Sequence, residues 1–301
     1  MRITRREFLA LAGVTAASIG VGLSDRRALE EALAAPGAPV VLWLQGAACT
    51  GCSVSFLNRV SGTAPETAAD ILIETVDLRY HPNIMAAAGD LAVSVARDAY
   101  QQGGYLLAVE GGVPTAFGGC ACWAWSHAGR EVTFKDAVTD LASRASAVLA
   151  VGTCASFGGI PAAPPNPAGV RGVAAATGVK TVNLAGCPTH PDTIVWTLAQ
   201  ILSGRTVSLD SFGRPRRFFG GESIHEECPY EDREEADVLG QAGLCLKDLG
   251  CRGPRTQGSC PDQLFNGGRN WCMGAGAPCI GCHNPDFPGT APLYSAVDQD
   301  D

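Results

Sequence analysis

The chain reads as α/β: a doubly wound parallel sheet followed by an irregular, cysteine-rich region. Three observations predict this. Short apolar runs alternate with helix-length stretches from Val40 to about residue 200. Glycines and cysteines cluster where several of those runs end. Beyond residue 200, seven cysteines fall between 228 and 282 while apolar periodicity fades.

The first strand is expected at residues 40–44, and further strands at 71–76, 105–109, 147–151 and 181–184. Each is a short, mostly apolar run, the pattern of a parallel strand buried on both faces. Helices are expected at 53–60, 84–100, 134–144 and 170–177, with a last clear one at 192–202. Strand, helix and strand in series make right-handed crossovers that cover both faces of one sheet. Past that last helix Gly, Pro and Cys dominate, and a segment with so little periodicity folds around something other than an apolar core. Metal ligation does that, because it supplies folding free energy directly.

With 301 residues, 46% of them apolar, the chain can bury one large core or two ordinary ones. Its net charge of −8 and lack of a basic stripe exclude a nucleic-acid surface. At the N-terminus, Thr4-Arg5-Arg6-Glu7-Phe8-Leu9 precedes a Gly-, Ala- and Ser-rich apolar stretch and an Ala32-Leu33-Ala34 cleavage site. Residues 1–34 are therefore expected to be a twin-arginine export signal. The rival reading, an anchor helix, needs about 20 apolar residues and is disfavoured by the shorter run. The polar Asp298-Gln299-Asp300-Asp301 ending adds to the expectation of a soluble exported protein. Export of an already folded chain lets a metal cluster be inserted before the protein meets the oxidising periplasm.

Four cysteines fall at carboxyl ends of expected strands: Cys49 and Cys52 in Cys-Thr-Gly-Cys, Cys154 in Val-Gly-Thr-Cys, and Cys187 in Ala-Gly-Cys-Pro. In a doubly wound sheet such loops meet at one crevice, and four thiolates there make a 4Fe–4S site. A helix opening at Ser53 is expected to aim its N–H groups at the cluster sulfurs. Four scattered core cysteines is the plainer alternative, and placement at three strand ends weighs against it. A second set is His225, Cys228, Cys245 and Cys251, where the His-x-x-Cys spacing turns an ordinary histidine into a candidate ligand; spacing alone leaves zinc as a competing metal. A third set is Cys260, Cys272, Cys279 and Cys282, open to a 4Fe–4S cluster or zinc. Of thirteen cysteines, Cys120 and Cys122 remain. They are too close for a relaxed mutual disulfide and are expected to be buried and structural.

At these residues the sequence resembles the small subunits of periplasmic nickel–iron hydrogenases, closest to their soluble, selenium-containing branch. The resemblance rests on Trp43-Leu44-Gln45-Gly46 leading into Cys49-Thr50-Gly51-Cys52-Ser53, on Val109-Glu110-Gly111, Val151-Gly152-Thr153-Cys154-Ala155, Gly186-Cys187-Pro188 and Gly213-Arg214-Pro215. It continues through Ile224-His225, Leu249-Gly250-Cys251-Arg252-Gly253-Pro254 and Cys279-Ile280-Gly281-Cys282. It implies a flavodoxin-like domain at 35–205 and an irregular cluster-binding domain at 206–301. It also implies an electron-transfer role with no catalytic residue in this chain, the nickel–iron site lying in a large subunit. Cys49, Cys52, Cys154 and Cys187 would hold a proximal 4Fe–4S cluster, and His225, Cys228, Cys245 and Cys251 a distal one.

Cys260, Cys279 and Cys282 would hold a medial cluster. Where the commonest family pattern has proline after Asn-Trp and a 3Fe–4S cluster, Asn270-Trp271-Cys272 supplies a fourth thiolate, so 4Fe–4S is expected. Glycines at 51 and 159, where oxygen-tolerant members carry extra cysteines, imply an ordinary proximal cluster and an oxygen-sensitive or moderately resistant enzyme. A soluble multihaem c-type cytochrome is the expected acceptor. Glu110 has two readings, a helix-cap or salt-bridge carboxylate and a proton relay beside the proximal cluster. The rivals from other classes are a stand-alone ferredoxin-like carrier, a member of a quinone-coupled complex lacking the second and third sets, and a zinc-bound, disulfide-bonded secreted protein.

Overall fold

The computed structural model describes residues 38–62, 65–241 and 243–295, so the expected export signal lies outside the described residues. In chain order the elements that place the cysteines are β1 (Val40–Gln45), α1 (Gly51–Leu57), β2 (Asp77–Tyr80), α2 (Gly89–Gln102) and β3 (Leu106–Glu110). They are followed by α3 (Phe134–Ala142), β4 (Ala147–Val151), α4 (Thr153–Phe157), β5 (Val182–Leu184) and α5 (Pro191–Leu202). The five strands form one parallel sheet in the order β2-β1-β3-β4-β5. This is the flavodoxin-like order, with the direction of winding reversing between β1 and β3.

Side chains alternate across the sheet. Leu42, Leu44, Leu107 and Val109 face the alanines of α2 and Val138 and Leu141 of α3. Val41, Trp43, Leu106 and Ala108 face Phe56 of α1 and Ile194, Val195 and Leu198 of α5. Each large aliphatic side chain so buried contributes about 1.5–3 kcal/mol. The register pairs Gln45 with Glu110 and Glu110 with Val151, so β1, β3 and β4 end level. Helix starts are set by caps: the Thr133 hydroxyl accepts the Asp136 amide at 3.1 Å, and His190 Nδ1 accepts the Asp192 amide at 3.2 Å behind Pro191.

Residues 71–76, expected as a strand, are instead a π-helical turn, Ile71–Thr75, continuing the short helix Ala68–Asp70. Thr67 and Asp70 cap each other reciprocally and nucleate that helix, and Ile73 is 74% exposed where a buried strand would hide it. The edge strand comes later, at Asp77–Tyr80. Residues 170–171 pair antiparallel with Val113–Pro114 before a helix at Val173–Thr177, and an unforeseen hairpin joins Trp123–His127 to Arg130–Thr133. Cys122 packs half-buried against the first core, but Cys120 is exposed, contrary to expectation. A positive-φ turn at Phe117, Gly118 and Gly119 precedes it, with Phe117 exposed.

From residue 206 onward the described residues hold only isolated bridges and helical turns of four residues or fewer. Their apolar cluster combines Ile224, Leu246, Trp271 and Met273 with Cys251 and Cys279, and Cys228 and Cys260 pack against it. Two buried arginines brace the loops. Arg214 pairs with Asp210 at 2.7 Å and donates to the His283 carbonyl, while Arg252 donates to the carbonyls of Pro288 and Ala291. No helix among the described residues is long and apolar enough to cross a membrane.

Candidate metal centres

The level strand ends deliver the first set. Cys49 lies in the loop after β1, Cys52 in the first turn of α1, Cys154 in α4 after β4, and Cys187 in the loop after β5. Their thiols interact: Cys154 with Cys49, Cys52 and Cys187, and Cys187 with Cys49. Glycines make the room. A Cβ on Gly152 (φ +90°) would stand 2.6 Å from Cys52 Sγ, one on Gly159 2.9 Å from Cys154 Sγ, and one on Gly51 3.0 Å from Cys49 Sγ. Burial pushes the Cys154 thiol up to about 12, with Cys187 and Cys49 adding to it. Burial raises Cys52 as well, and the Glu110 carboxylate raises it further. Thiols held protonated in such a nest gain from a cationic core that binds them as thiolates, since a metal reverses the local preference.

Glu110, 2% exposed at the end of β3, accepts five hydrogen bonds. The donors are Trp43 Nε1 (3.0 Å), Gln45 Nε2 (3.0 Å), the Ser53 hydroxyl (2.5 Å), and the amides of Cys52 (3.0 Å) and Ser53 (3.2 Å). It therefore caps α1. The expectation that these helix N–H groups face cluster sulfurs is corrected for Cys52 and Ser53, because a buried carboxylate behind them takes both bonds. His81 continues the network. Its Nδ1 accepts the Asn83 amide at 3.2 Å, which leaves Nε2–H to donate to Ser53 Oγ at 3.1 Å.

The second set gathers around a turn. Cys228 interacts with Cys251 and Cys245, and its amide donates to the His225 carbonyl at 3.0 Å. A Cβ on Gly253 would meet Cys251 Sγ at 3.3 Å and His225 Cβ at 3.6 Å, so His225 stands beside the thiols. In the third set Cys260 interacts with Cys272 and Cys282, and Cys279 with Cys272, Cys260 and Cys282. Burial, with Cys272 adding, pushes Cys260 up to about 12. His283 escapes the sequence reading despite adjoining Cys282. It is buried with Nε2 3.7 Å from Cys260 Sγ, and Nδ1 donates to the Gln257 carbonyl at 3.1 Å. Burial, with the Arg214 charge adding, lowers its pKa to about 4 and keeps it neutral.

The three sets stand in series. The Cys282 sulfur meets the Cys187 amide, joining third to first. Cys279 interacts with Cys251, and the Arg252 amide donates to the Cys279 carbonyl at 2.7 Å, joining third to second. Among the described residues no three His, Cys, Asp or Glu side chains are grouped closely enough to share one metal ion. A multi-iron core, whose thiolates bond different irons, spreads its ligands wider than a single ion does with bonds of about 2.3 Å. The donor sets and the glycine cradle fit iron–sulfur clusters.

Residues 49–201 match the family model described as NADH ubiquinone oxidoreductase, 20 Kd subunit. Residues 221–294 match the model for the C-terminal part of NiFe/NiFeSe hydrogenase small subunits. The second match decides between the two families that share the first domain. This chain belongs to the nickel–iron hydrogenase small-subunit family. It is 38% identical to the periplasmic NiFe hydrogenase small subunit of Solidesulfovibrio fructosivorans, over 97% of this chain and 93% of that one. It is 39% identical to the periplasmic NiFeSe hydrogenase small subunit of Desulfomicrobium baculatum, over 98% of this chain and all of that one. The solved structure of the recombinant NiFeSe hydrogenase from Desulfovibrio vulgaris Hildenborough in the oxidized state superposes with a TM-score of 0.80 at 39% identity. The superposition covers 87% of this chain and 99% of that one. The hydrogenase small subunit is the electron-transfer partner of a large subunit.

Gly152→Ala is expected to displace the Cys52 sulfur and empty the first site alone. Iron analysis should then read about four iron fewer per chain, with the other clusters' EPR signals retained.

Proposed function

We propose that this hydrogenase small subunit relays electrons between its large subunit and a soluble acceptor through three iron–sulfur clusters. Cys49, Cys52, Cys154 and Cys187 hold the proximal cluster, Cys260, Cys272, Cys279 and Cys282 the medial, and His225, Cys228, Cys245 and Cys251 the distal. The observation that carries the reading is the serial linkage of the three sets, first to third through the Thr153 hydroxyl on the Cys282 carbonyl and third to second through the Arg252 amide on the Cys279 carbonyl. When bound, the clusters supply one-electron chemistry; the chain's residues bind them and set their environment. A fourth thiolate from Cys272 makes the medial cluster 4Fe–4S and lowers its potential relative to 3Fe–4S. His225, a neutral ligand in place of a thiolate, raises that of the distal cluster.

The division into 35–205 and 206–301 follows the change from sheet to ligand-organised loops. The chain acts in the periplasm, as its relatives' names indicate, after twin-arginine export of residues 1–34. The acceptor is a multihaem c-type cytochrome with a basic haem edge. Around His225 and Cys228, residues 222–237 expose eight acidic side chains and one arginine, a field that attracts such a partner. Glu110 keeps a relay role in this reading. It stands at the inner end of a row in which the Ser53 hydroxyl and His81 imidazole can each take one proton and release another.

Metal analysis and EPR of the purified heterodimer test this. The expected result is about twelve iron per small subunit and no 3Fe–4S signal, with Cys272→Pro giving about eleven iron and a 3Fe–4S signal. Zinc in place of iron would overturn the reading. Cytochrome reduction by the heterodimer should fall steeply as ionic strength rises from about 0.01 to 0.15 M, where the Debye length shortens from about 30 to 8 Å. A salt-independent rate would remove the acidic docking face.

A further inference from the structure

A buried hydroxyl ties the first cysteine set to the third. Thr153 is fully buried in the first turn of α4, one residue before Cys154. Its hydroxyl donates to the carbonyl oxygen of Cys282 and accepts the Gly186 amide at 2.8 Å, while its own amide donates to the Gly186 carbonyl at 3.0 Å. One residue thus fixes the segments that carry Cys154, Cys187 and Cys282. Where those segments meet, the Cys187 amide approaches the Cys282 sulfur.

We infer that Thr153 is a positioning residue for the electron step between the proximal and medial sites, its hydroxyl holding the Cys187 and Cys282 segments together as the connection the electron crosses. This rests on the cluster reading given above. In the step one electron leaves the proximal site and arrives at the medial one, so the first is oxidised and the second reduced by one, with no bond made or broken. Electronic coupling decays steeply across open gaps and slowly along bonds. The route from Cys187 Sγ through its own side chain to its amide leaves only the approach of that amide to Cys282 Sγ to cross. Hydrogen bonds to the sulfurs also help set a cluster's potential, so the same contact tunes the medial site. The hydroxyl and not the bulk of Thr153 makes the clamp, because both its bonds go to backbone groups that have to be satisfied where they are buried.

The test uses the intact heterodimer with Thr153→Val, which keeps the shape and loses the hydroxyl, and Thr153→Ser, which keeps the hydroxyl. Three readouts are taken alongside iron content: H2/D2O isotope exchange, which needs only the large subunit's site; H2 oxidation with an electron acceptor; and an EPR-monitored redox titration of the medial cluster. For Thr153→Val the expected result is full iron and unchanged exchange, a several-fold loss of H2 oxidation, and a negative shift of the medial midpoint potential. Thr153→Ser should restore both rate and midpoint. A Thr153→Val protein with the parent's rate and midpoint overturns the inference, and so does failure of both variants to assemble, since Ser retains the hydroxyl. Failure of Thr153→Val alone supports the clamp. A parent protein without iron would defeat the underlying cluster reading instead, which keeps the two failures apart.

Discussion

Buried thiols need a cation to meet them before they can ionise. In this chain nine cysteines with raised thiol pKa values lie in the three proposed ligand sets, and burial is the first cause at each. Left as thiols they are weak hydrogen-bonding groups crowded against one another. Ligated, they become cross-links that close long loops at once, and the free energy of ligation becomes free energy of folding. The dependence is strongest after residue 206, where the apolar cluster is small and partly made of the cysteines themselves.

The sheet supplies what the loops cannot, a rigid edge. Because β1, β3 and β4 end level, the turns that follow present Cys49, Cys52 and Cys154 at the same height, and β5 adds Cys187 beside them. Glu110 stands at that edge and locks α1 to β3 through bonds to both amides of the first turn. The helix that carries Cys52 is thereby held by a carboxylate from the neighbouring strand, with Trp43 and Gln45 of β1 holding the carboxylate in turn. Thr153 plays the corresponding part on the other side, where sheet and cluster-binding loops meet. Each anchor is a buried polar group fully engaged by its neighbours, the condition under which such groups specify geometry.

Much of this is legible in residue order. The run at 147–151 is the strand Ala147–Val151 from end to end, and strand ends and spacing suggest the three proposed ligand groupings. Residues 71–76 mislead because a buried apolar run has the same appearance in a strand as in a helix, and the Thr67 to Asp70 cap that decides it lies outside the run. The role of Glu110 depends on contacts with β1 and α1, distant in sequence, which no local pattern records. His283 has a local signal, its place beside Cys282, but its burial against Cys260 comes only from the packing of the Arg214 segment over it. The exposure of Cys120 likewise reflects a positive-φ turn at Phe117, a conformation a phenylalanine does not advertise.

We propose that three iron clusters sit in a row, each on its own ligand set. Anomalous diffraction from crystals of the heterodimer, collected on either side of the iron and zinc absorption edges, tests it most directly. Three iron peaks are expected in this small subunit, with the one beside Cys260, Cys272, Cys279 and Cys282 lying between the other two. A zinc peak at any of the sets, or a set without iron, would contradict it.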